Sequence, residues 1–388
     1  MTIYFVAGEV SADNHGAALM RALRKCDRGV HFIGRGGPQM QEVANESAQA
    51  SARESRKFKN WIGEAAVLGL WEVLRKYGYF REQFDEALQE IGKDKPDAVV
   101  LIDYPGFNLR LARALRRQAP QQKIIYYISP QVWAWNRGRI KKMSHFIDLV
   151  LCIFPFEVDL YKQAGSRAIF VGHPMMERLQ SSVIDTKRDR GMIGIFPGSR
   201  AREVRKIFPV MLETARELQK RDSNLRFEVA AASEQLAREM EEILHGLQRS
   251  PDGRAIEIKT GQTAEIMQRA WTGIVASGSA TLEAAFFRLP FVLIYKVAWL
   301  TYLAARLVVN VKYLGMPNLL AEKEVVPEFI QHRATPNAIS EALQPLIENA
   351  SARDRMISEF NAIVPRLGDV GASERAARAI IEEIRSAS

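Results

Sequence analysis

Met192-Ile193-Gly194-Ile195-Phe196-Pro197-Gly198-Ser199-Arg200 is an apolar run of strand length that breaks into a glycine turn, and a stretch of helical spacing runs from Glu203 to Arg221 behind it. The chain opens in the same way: Thr2–Ala7 is apolar, and Gly8-Glu9-Val10-Ser11-Ala12-Asp13 follows as a glycine turn at a helix start. Between and after these two starts, apolar runs alternate with helical-period stretches, the pattern of parallel sheets with crossover helices. Strands are expected at Thr2–Ala7, Val30–Ile33, Ala98–Ile102, Lys123–Ile128, Leu149–Ile153 and Ala168–Val171. A second series is expected at Met192–Phe196, Leu225–Ala231, Gly273–Ala276 and Phe291–Tyr295. The fold class is therefore α/β: two doubly wound, Rossmann-like domains facing a central cleft, with ligands held outside the carboxyl ends of the strands.

Pro174 to Arg190, ending in the polar run Asp185-Thr186-Lys187-Arg188-Asp189-Arg190, offers few apolar anchors and reads as the linker. The expected division is 1–185 and 186–370. The tail 371–388, with Ala372-Ser373-Glu374-Arg375-Ala376-Ala377, forms a capped last helix that packs back on the first domain.

At 388 residues the chain exceeds what one core serves, and 47% hydrophobic with 26% charged residues is a globular composition. Lys and Arg number 54 against 45 Asp and Glu, a net +9, which favours an anionic partner: nucleic acid, phosphorylated substrate or anionic membrane. Cys26 and Cys152 stand far apart, and Thr2 enters a strand with no charged leader before it, so the expectation is a cytoplasmic protein without disulfides. Leu289–Val311 is broken by Lys296 and Arg306, too short an apolar run to span a bilayer. No Cys-x-x-Cys or His-Glu-x-x-His spacing occurs, so no metal is expected.

Several loops have the residues for chemistry. Asp103 ends the buried run Leu101-Ile102 and begins Asp103-Tyr104-Pro105-Gly106-Phe107-Asn108, where a carboxylate can act as general base or bond the turn that follows it. In the first loop Ser11 or Asp13 can face a ligand or cap a helix; Gly34-Arg35-Gly36-Gly37-Pro38 permits close backbone approach to a substrate or is a plain turn. Ser129-Pro130-Gln131-Val132-Trp133-Ala134-Trp135-Asn136 precedes Arg137, Arg139, Lys141 and Lys142, which suits phosphates or headgroups, or else a solvated helix face.

Gly198, Ser199 and Arg200, together with Ser277-Gly278-Ser279-Ala280-Thr281-Leu282-Glu283, make a nucleotide-diphosphate site of backbone donors and one guanidinium. The Walker lysine is missing. His173 touches substrate or braces the crossover at Gly172-His173-Pro174. From Ala284 to Ala321 there is no Asp or Glu; this reads as an interfacial helix presenting Trp299, Leu300, Leu303 and Arg306 to a membrane, or as a core or dimer-interface helix. Trp61–Arg81 is a second apolar helix, lining an acyl-chain entrance or part of the core.

Taken together, Gly8-Glu9-Val10-Ser11-Ala12-Asp13, Gly36-Gly37-Pro38-x-Met40, Leu68-Gly69-x-x-Glu72-Val73-Leu74, Asp103–Asn108, Ser129–Trp135, Pro155-Phe156-Glu157, Gly172-His173-Pro174, Pro197-Gly198-Ser199-Arg200-x-x-Glu203, Ser277–Glu283 and Pro317-Asn318-Leu319-Leu320 resemble the lipid-A-disaccharide synthase family of glycosyltransferases. The Trp133-Ala134-Trp135 block is its most specific element. The resemblance implies a GT-B fold and transfer of 2,3-diacylglucosamine from its UDP conjugate to 2,3-diacylglucosamine 1-phosphate, giving a β-1,6 disaccharide and UDP, with no metal or other cofactor. It implies Asp103 as base, Arg200 and Asn318 in activity or UDP binding, and Glu9 and Ser11 in the first-domain site. Asn108 and Trp133 join the expected acceptor side, and Glu283 is expected at the ribose.

The partners it implies are the UDP-linked and phosphorylated acylated glucosamines, an anionic inner-membrane surface bound peripherally from the cytoplasm, and a second copy in a homodimer; nucleic acid is not implied. Three positions depart from the family: Ala12, usually glycine; Gly106, usually aspartate; and His15, usually aliphatic. Without a carboxylate at Gly106, Asp103 is expected to lack the neighbour that would raise its pKa. The rival readings are a UDP-sugar epimerase on the same fold and a non-catalytic lipid- or sugar-nucleotide-binding protein.

Overall fold

The computed structural model describes residues 1–46, 58–62, 77–130, 137–247, 256–297 and 312–386. Trp133, Trp299, Leu300, Leu303 and Arg306, most of the Trp61–Arg81 stretch and the middle of the acid-free stretch lie outside the described residues. The chain divides into two compact units, Met1–Met176 with Leu367–Ser388, and Glu177–Arg366.

In the first unit, β1 (Thr2–Ala7), β2 (His31–Gly36), β3 (Phe58–Asn60), β4 (Ala98–Ile102), β5 (Ile124–Tyr127), β6 (Leu149–Cys152) and β7 (Ala168–Phe170) pair in the order β3-β2-β1-β4-β5-β6-β7. Every pairing among them is parallel. All five residues of β4 and all four of β5 are buried, as expected of strands covered on both faces. The expected strand Lys123–Ile128 stops at Tyr127 because Ile128 turns out of the sheet at φ 57°.

The helices are α1 (Val10–Cys26), α2 (Pro38–Glu46), α3 (Tyr77–Asp94), α4 (Pro105–Gln118), α5 (Arg137–Met143) and α6 (Pro155–Gln163); α7 (Met175–Ser181) spans the division, with Glu177–Ser181 in the second unit. The chain walks from β1 to β3 on one side, then crosses to β4 on the other side of β1. That reversal opens a crevice between the carboxyl ends of β1 and β4.

In the second unit, β8 (Asp189–Phe196), β9 (Arg226–Ala231), β10 (Ile256–Thr260), β11 (Ala270–Ala276), β12 (Phe291–Tyr295) and β13 (Glu328–Ile330) pair in parallel in the order β10-β9-β8-β11-β12-β13. Its switch point lies between β8 and β11. The helices are α8 (Ala201–Arg221), α9 (Glu234–Leu247), α10 (Thr263–Arg269), α11 (Ala280–Phe286), α12 (Met316–Ala321), α13 (Pro336–Glu348) and α14 (Ala350–Ile363). On α8 the buried Val204, Ile207, Phe208, Met211, Leu212, Ala215 and Leu218 form one stripe of period 3.6, which is why this sequence is a helix lying on a sheet.

Residues Leu367–Ser388 return to the first unit, where α15 (Ala372–Arg385) places Ala376, Ala377 and Ile380 in the same core as Leu19, Met20 and Leu23 of α1. Its buried Glu383 accepts from Lys123 Nζ at 3.0 Å and Arg167 Nη1 at 2.7 Å.

Three expectations change. The division falls after Met176 rather than after residue 185, because the segment behind it is fastened to the second unit. The Ile184 N–H donates to Gln268 Oε1 at 2.8 Å, Gln268 Nε2 donates to Ser182 O at 2.8 Å, and Arg178 pairs with Glu283 at 2.8 Å. The polar run is no linker either: Asp189 and Arg190 already belong to β8, and Arg188 donates to the carbonyls of Met267, Ala270 and Phe287. Likewise part of the acid-free stretch is core rather than interfacial helix, since Phe291–Ile294 of β12 are fully buried within the sheet.

Candidate functional site

At the first crevice the residue after β1 must be glycine: a Cβ on Gly8 would lie 2.4 Å from Cδ1 of the Tyr104 ring. Glu9 then caps α1 in an extended conformation with its side chain exposed, and Ser11 is exposed on the first turn. Across from them, Asp103 and Tyr104 both stand in the left-handed region, at φ 46° and 49°. Two consecutive non-glycine residues pay strain for this, so the surroundings must hold them.

They do so through the backbone. Asp103 N–H donates to Tyr127 O at 3.1 Å, and Asp103 O accepts from Tyr126 OH at 2.5 Å and from Asn108 Nδ2 at 2.8 Å. The Tyr104 ring sits edge-on to Trp61 at 6.1 Å and beside Phe107 at 6.2 Å, while Trp61 Nε1 donates to Ala7 O at 2.6 Å. The strained turn therefore carries Asp103 at the carboxyl end of β4, backed by a packed aromatic cluster. Burial pushes its pKa up to about 6, the Glu9 charge adds to the rise, and the Tyr104 backbone N–H works against it.

The expectation that Asp103 lacks a carboxylate neighbour is thus corrected. Glu9 fills that role from the other side of the switch point, and desolvation is the larger cause. Asn108, expected on the acceptor side, is wholly buried; it also donates to Ile102 O at 3.2 Å, so its reach to a ligand runs through the turn it fixes. Asp13 caps a helix, but not its own: it accepts from the N–H groups of Gly37, Gln39 and Met40 and thereby closes the start of α2. Arg35 of the glycine loop points away from any ligand, buried against Tyr4, Gln83 and Glu90 beneath the Trp61 ring. His173 braces the backbone, its N–H on Leu367 O at 2.8 Å and its ring 5.3 Å from Phe154.

At the second crevice the loop after β8 turns at Gly198, φ 98°, and Arg200 stands at the start of α8 with its side chain two-thirds exposed, 3.2 Å from Glu203 Oε1. The loop after β11 turns at Gly278, φ 140°; Gly278 and Ser279 are exposed and Ser277 is half-buried. These are the exposed groups at the second switch point.

Thr281, Glu283 and Asn318 are buried instead. Thr281 is buried with its hydroxyl on Gly278 O at 2.7 Å, and the buried Glu283 carboxylate accepts from Arg178. Asn318 is fully buried and uses both ends of its amide: Nδ2 donates to Val326 O and Glu328 Oε1, and Oδ1 accepts from the N–H groups of Val325 and Val326. These three build the loops that carry the site.

The sequence places Tyr104 and Phe107 in the Asp103 motif and Trp61 in a separate apolar stretch, but no local pattern shows that the three rings pack together behind Asp103. Among the described residues no cluster of three or more His, Cys, Asp or Glu side chains is placed to hold a metal ion, and no helix is long and apolar enough to cross a membrane.

Two parallel α/β units, each with its loops gathered at a switch point, define the GT-B-like class, and solved structures agree on the fold. The chain is similar to UDP-GlcNAc 2-epimerase from Neisseria meningitidis (TM-score 0.60, 12% identity, all of both chains). It is also similar to MurG from Acinetobacter baumannii (TM-score 0.56, 14% identity, 98% of this chain and 99% of that one). The family model of lipid-A-disaccharide synthetase matches residues 3–376. Among curated proteins, the lipid-A-disaccharide synthase of Geobacter sulfurreducens is 35% identical across 98% of this chain and 96% of its own, and that of Syntrophus aciditrophicus is 36% identical across 97% and 96%. The chain belongs to the lipid-A-disaccharide synthase family, and is a glycosyltransferase of lipid A biosynthesis.

Proposed function

We propose that the protein moves 2,3-diacylglucosamine from UDP-2,3-diacylglucosamine to the 6-hydroxyl of 2,3-diacylglucosamine 1-phosphate, with inversion at the anomeric carbon. The observation that carries this reading is Asp103: a strained, half-buried carboxyl at the first switch point with its pKa raised to about 6. Such a group is ionised at neutral pH and a stronger base than an ordinary aspartate.

In the transfer, the acceptor oxygen bonds to C1 of the donor sugar as the bond from C1 to the diphosphate oxygen breaks. Asp103 takes the hydroxyl proton, and UDP leaves with the bonding pair. Its charge falls to Arg200 and to the backbone donors at Ser199 and Ser279, donors fixed before the charge develops. Ser11 serves the acceptor side, while the buried rings of Trp61 and Phe107 back the Tyr104 turn and hold it in place. Asn318 and Glu283 act by holding donor loops. The enzyme works as a peripheral protein at the cytoplasmic face of the inner membrane, where a net charge of +9 favours an anionic surface.

Purified protein with both substrates and no added metal is expected to give disaccharide 1-phosphate and UDP in equal amounts, followed by product mass and UDP release. UDP release without disaccharide would move the reading to another acceptor, and epimerised UDP-sugar without transfer would remove it.

A further inference from the structure

Beside the Asp103 turn, within the first unit, lies a pocket of about 700 Å³ lined by Pro105 and Gly106 among others. A Cβ on Gly106 would meet nothing within 4 Å. Its walls are cationic: Arg110, Arg113, Arg116 and Arg117 come from α4, and Arg139 and Lys142 from α5. No Asp or Glu is among the described residues that line it. Arg116 is drawn aside to Asp148 at 2.6 Å. Arg110, Arg113 and Arg117 follow the i, i+3, i+7 spacing that stacks side chains on one helix face, and each is exposed. The floor is apolar, with Leu109, Met143 and Phe146.

Like charges gathered on one helix face repel one another, and an anion relieves that repulsion. Guanidinium groups from two helices around one opening suit a phosphomonoester, which accepts paired N–H donors on several oxygens at once. Position completes the argument. Arg110 lies about 7.5 Å along the helix axis from Pro105, the first residue of α4, and Pro105 and Gly106, which follow the turn that carries Asp103, line the same pocket.

We propose that this pocket binds the phosphate of the acceptor: a lipid-linked sugar phosphate whose hydroxyl is presented to Asp103 and whose phosphomonoester is held by Arg110, Arg113 and Arg117. The inference rests on the transferase reading above and adds the groups that select a phosphorylated acceptor.

The test replaces Arg110, Arg113 and Arg117 together by Gln. Binding is measured in neutral detergent micelles with 2,3-diacylglucosamine 1-phosphate and with the same lipid lacking phosphate. The unaltered protein is expected to prefer the phosphorylated lipid by about tenfold or more, and the triple variant to bind both alike. In turnover, the acceptor KM is expected to rise by about tenfold, while donor KM and kcat stay within about threefold.

A triple variant that keeps its preference for the phosphorylated lipid overturns the proposal. So does one that loses binding to phosphatidylglycerol vesicles while its acceptor KM is unchanged, because the pocket is then a membrane headgroup dock. If the unaltered protein makes no disaccharide but still discriminates by phosphate through these arginines, the transferase reading fails and the phosphate pocket stands.

Discussion

Asp103 is placed at a cost to the fold. Its carboxyl is protonated in the folded state up to about pH 6, whereas the unfolded chain releases that proton near the ordinary value of 3.8. Between those values the folded state binds more protons, so its stability falls as pH rises through the window. Asp103→Asn removes this penalty. The variant should be about 1–2 kcal/mol more stable than the unaltered protein at pH 8 and equal to it below pH 4, by denaturant titration, while kcat falls by ~10²–10⁴. Equal stability at both pH values would contradict the burial and charge argument, and turnover within a few-fold would remove the base assignment.

Asn318 is the opposite case, a buried residue whose amide is hydrogen-bonded within its own unit at both ends. Asn318→Ala strands the N–H groups of Val325 and Val326 in a buried site. The expected cost is about 1–3 kcal/mol for each N–H that stays unpaired, with a rise in donor KM and no change in acceptor KM. A rise in acceptor KM instead would show that the loop serves the other substrate.

At the scale of elements, α15 belongs to the fold of the first unit although it is last in the chain. Ile380 is fully buried there, so Ile380→Ala should cost about 2–5 kcal/mol. Hydrogen exchange should show faster exchange at β1 and β4 amides with β8 and β11 unchanged. Equal loosening of both sheets would contradict the assignment.

The elements also show what was legible in the sequence. The central strands were, because a strand buried on both faces is an unbroken apolar run: Ala98–Ile102 and Phe291–Tyr295 stand where the sequence puts them. The edge strands β3, β10 and β13 were not. Phe58-Lys59-Asn60, Ile256-Glu257-Ile258-Lys259-Thr260 and Glu328-Phe329-Ile330 are short and mixed in polarity, and only pairing with an existing sheet edge makes them strands. Loop chemistry was legible as residue type but not as direction. Asp103 and Arg200 face out, whereas Asn108, Thr281 and Asn318 turn in to satisfy backbone groups, and no local pattern separates the two outcomes.

At the scale of the whole molecule, the repeated start of the chain is the controlling fact. Each unit begins with its central strand, lays strands to one side and then crosses back, and each crossing opens a crevice at carboxyl strand ends. Glu9 and Asp103 flank the first; Gly198–Arg200 and Ser277–Ser279 flank the second. The proposed transfer needs a base for the acceptor and a charge-stabilising cradle for the leaving diphosphate, and the two crevices differ in that sense: one carries carboxylates, the other backbone donors and a guanidinium.

The claim that Asp103 is the base is tested most directly by the pH dependence of kcat/KM, measured on the unaltered protein and on Glu9→Gln. The account predicts a fall toward acid pH with a midpoint near 6 for the unaltered protein. A phosphomonoester also loses its second proton near pH 6, so the midpoint alone does not separate enzyme from substrate. Glu9→Gln does: it removes a charge that raises the Asp103 pKa, so the midpoint should move toward lower pH, whereas a substrate ionisation stays where it is. A midpoint that shifts down supports Asp103 as the base beside Glu9; a midpoint that does not move, or a rate flat from pH 5 to 8, contradicts it.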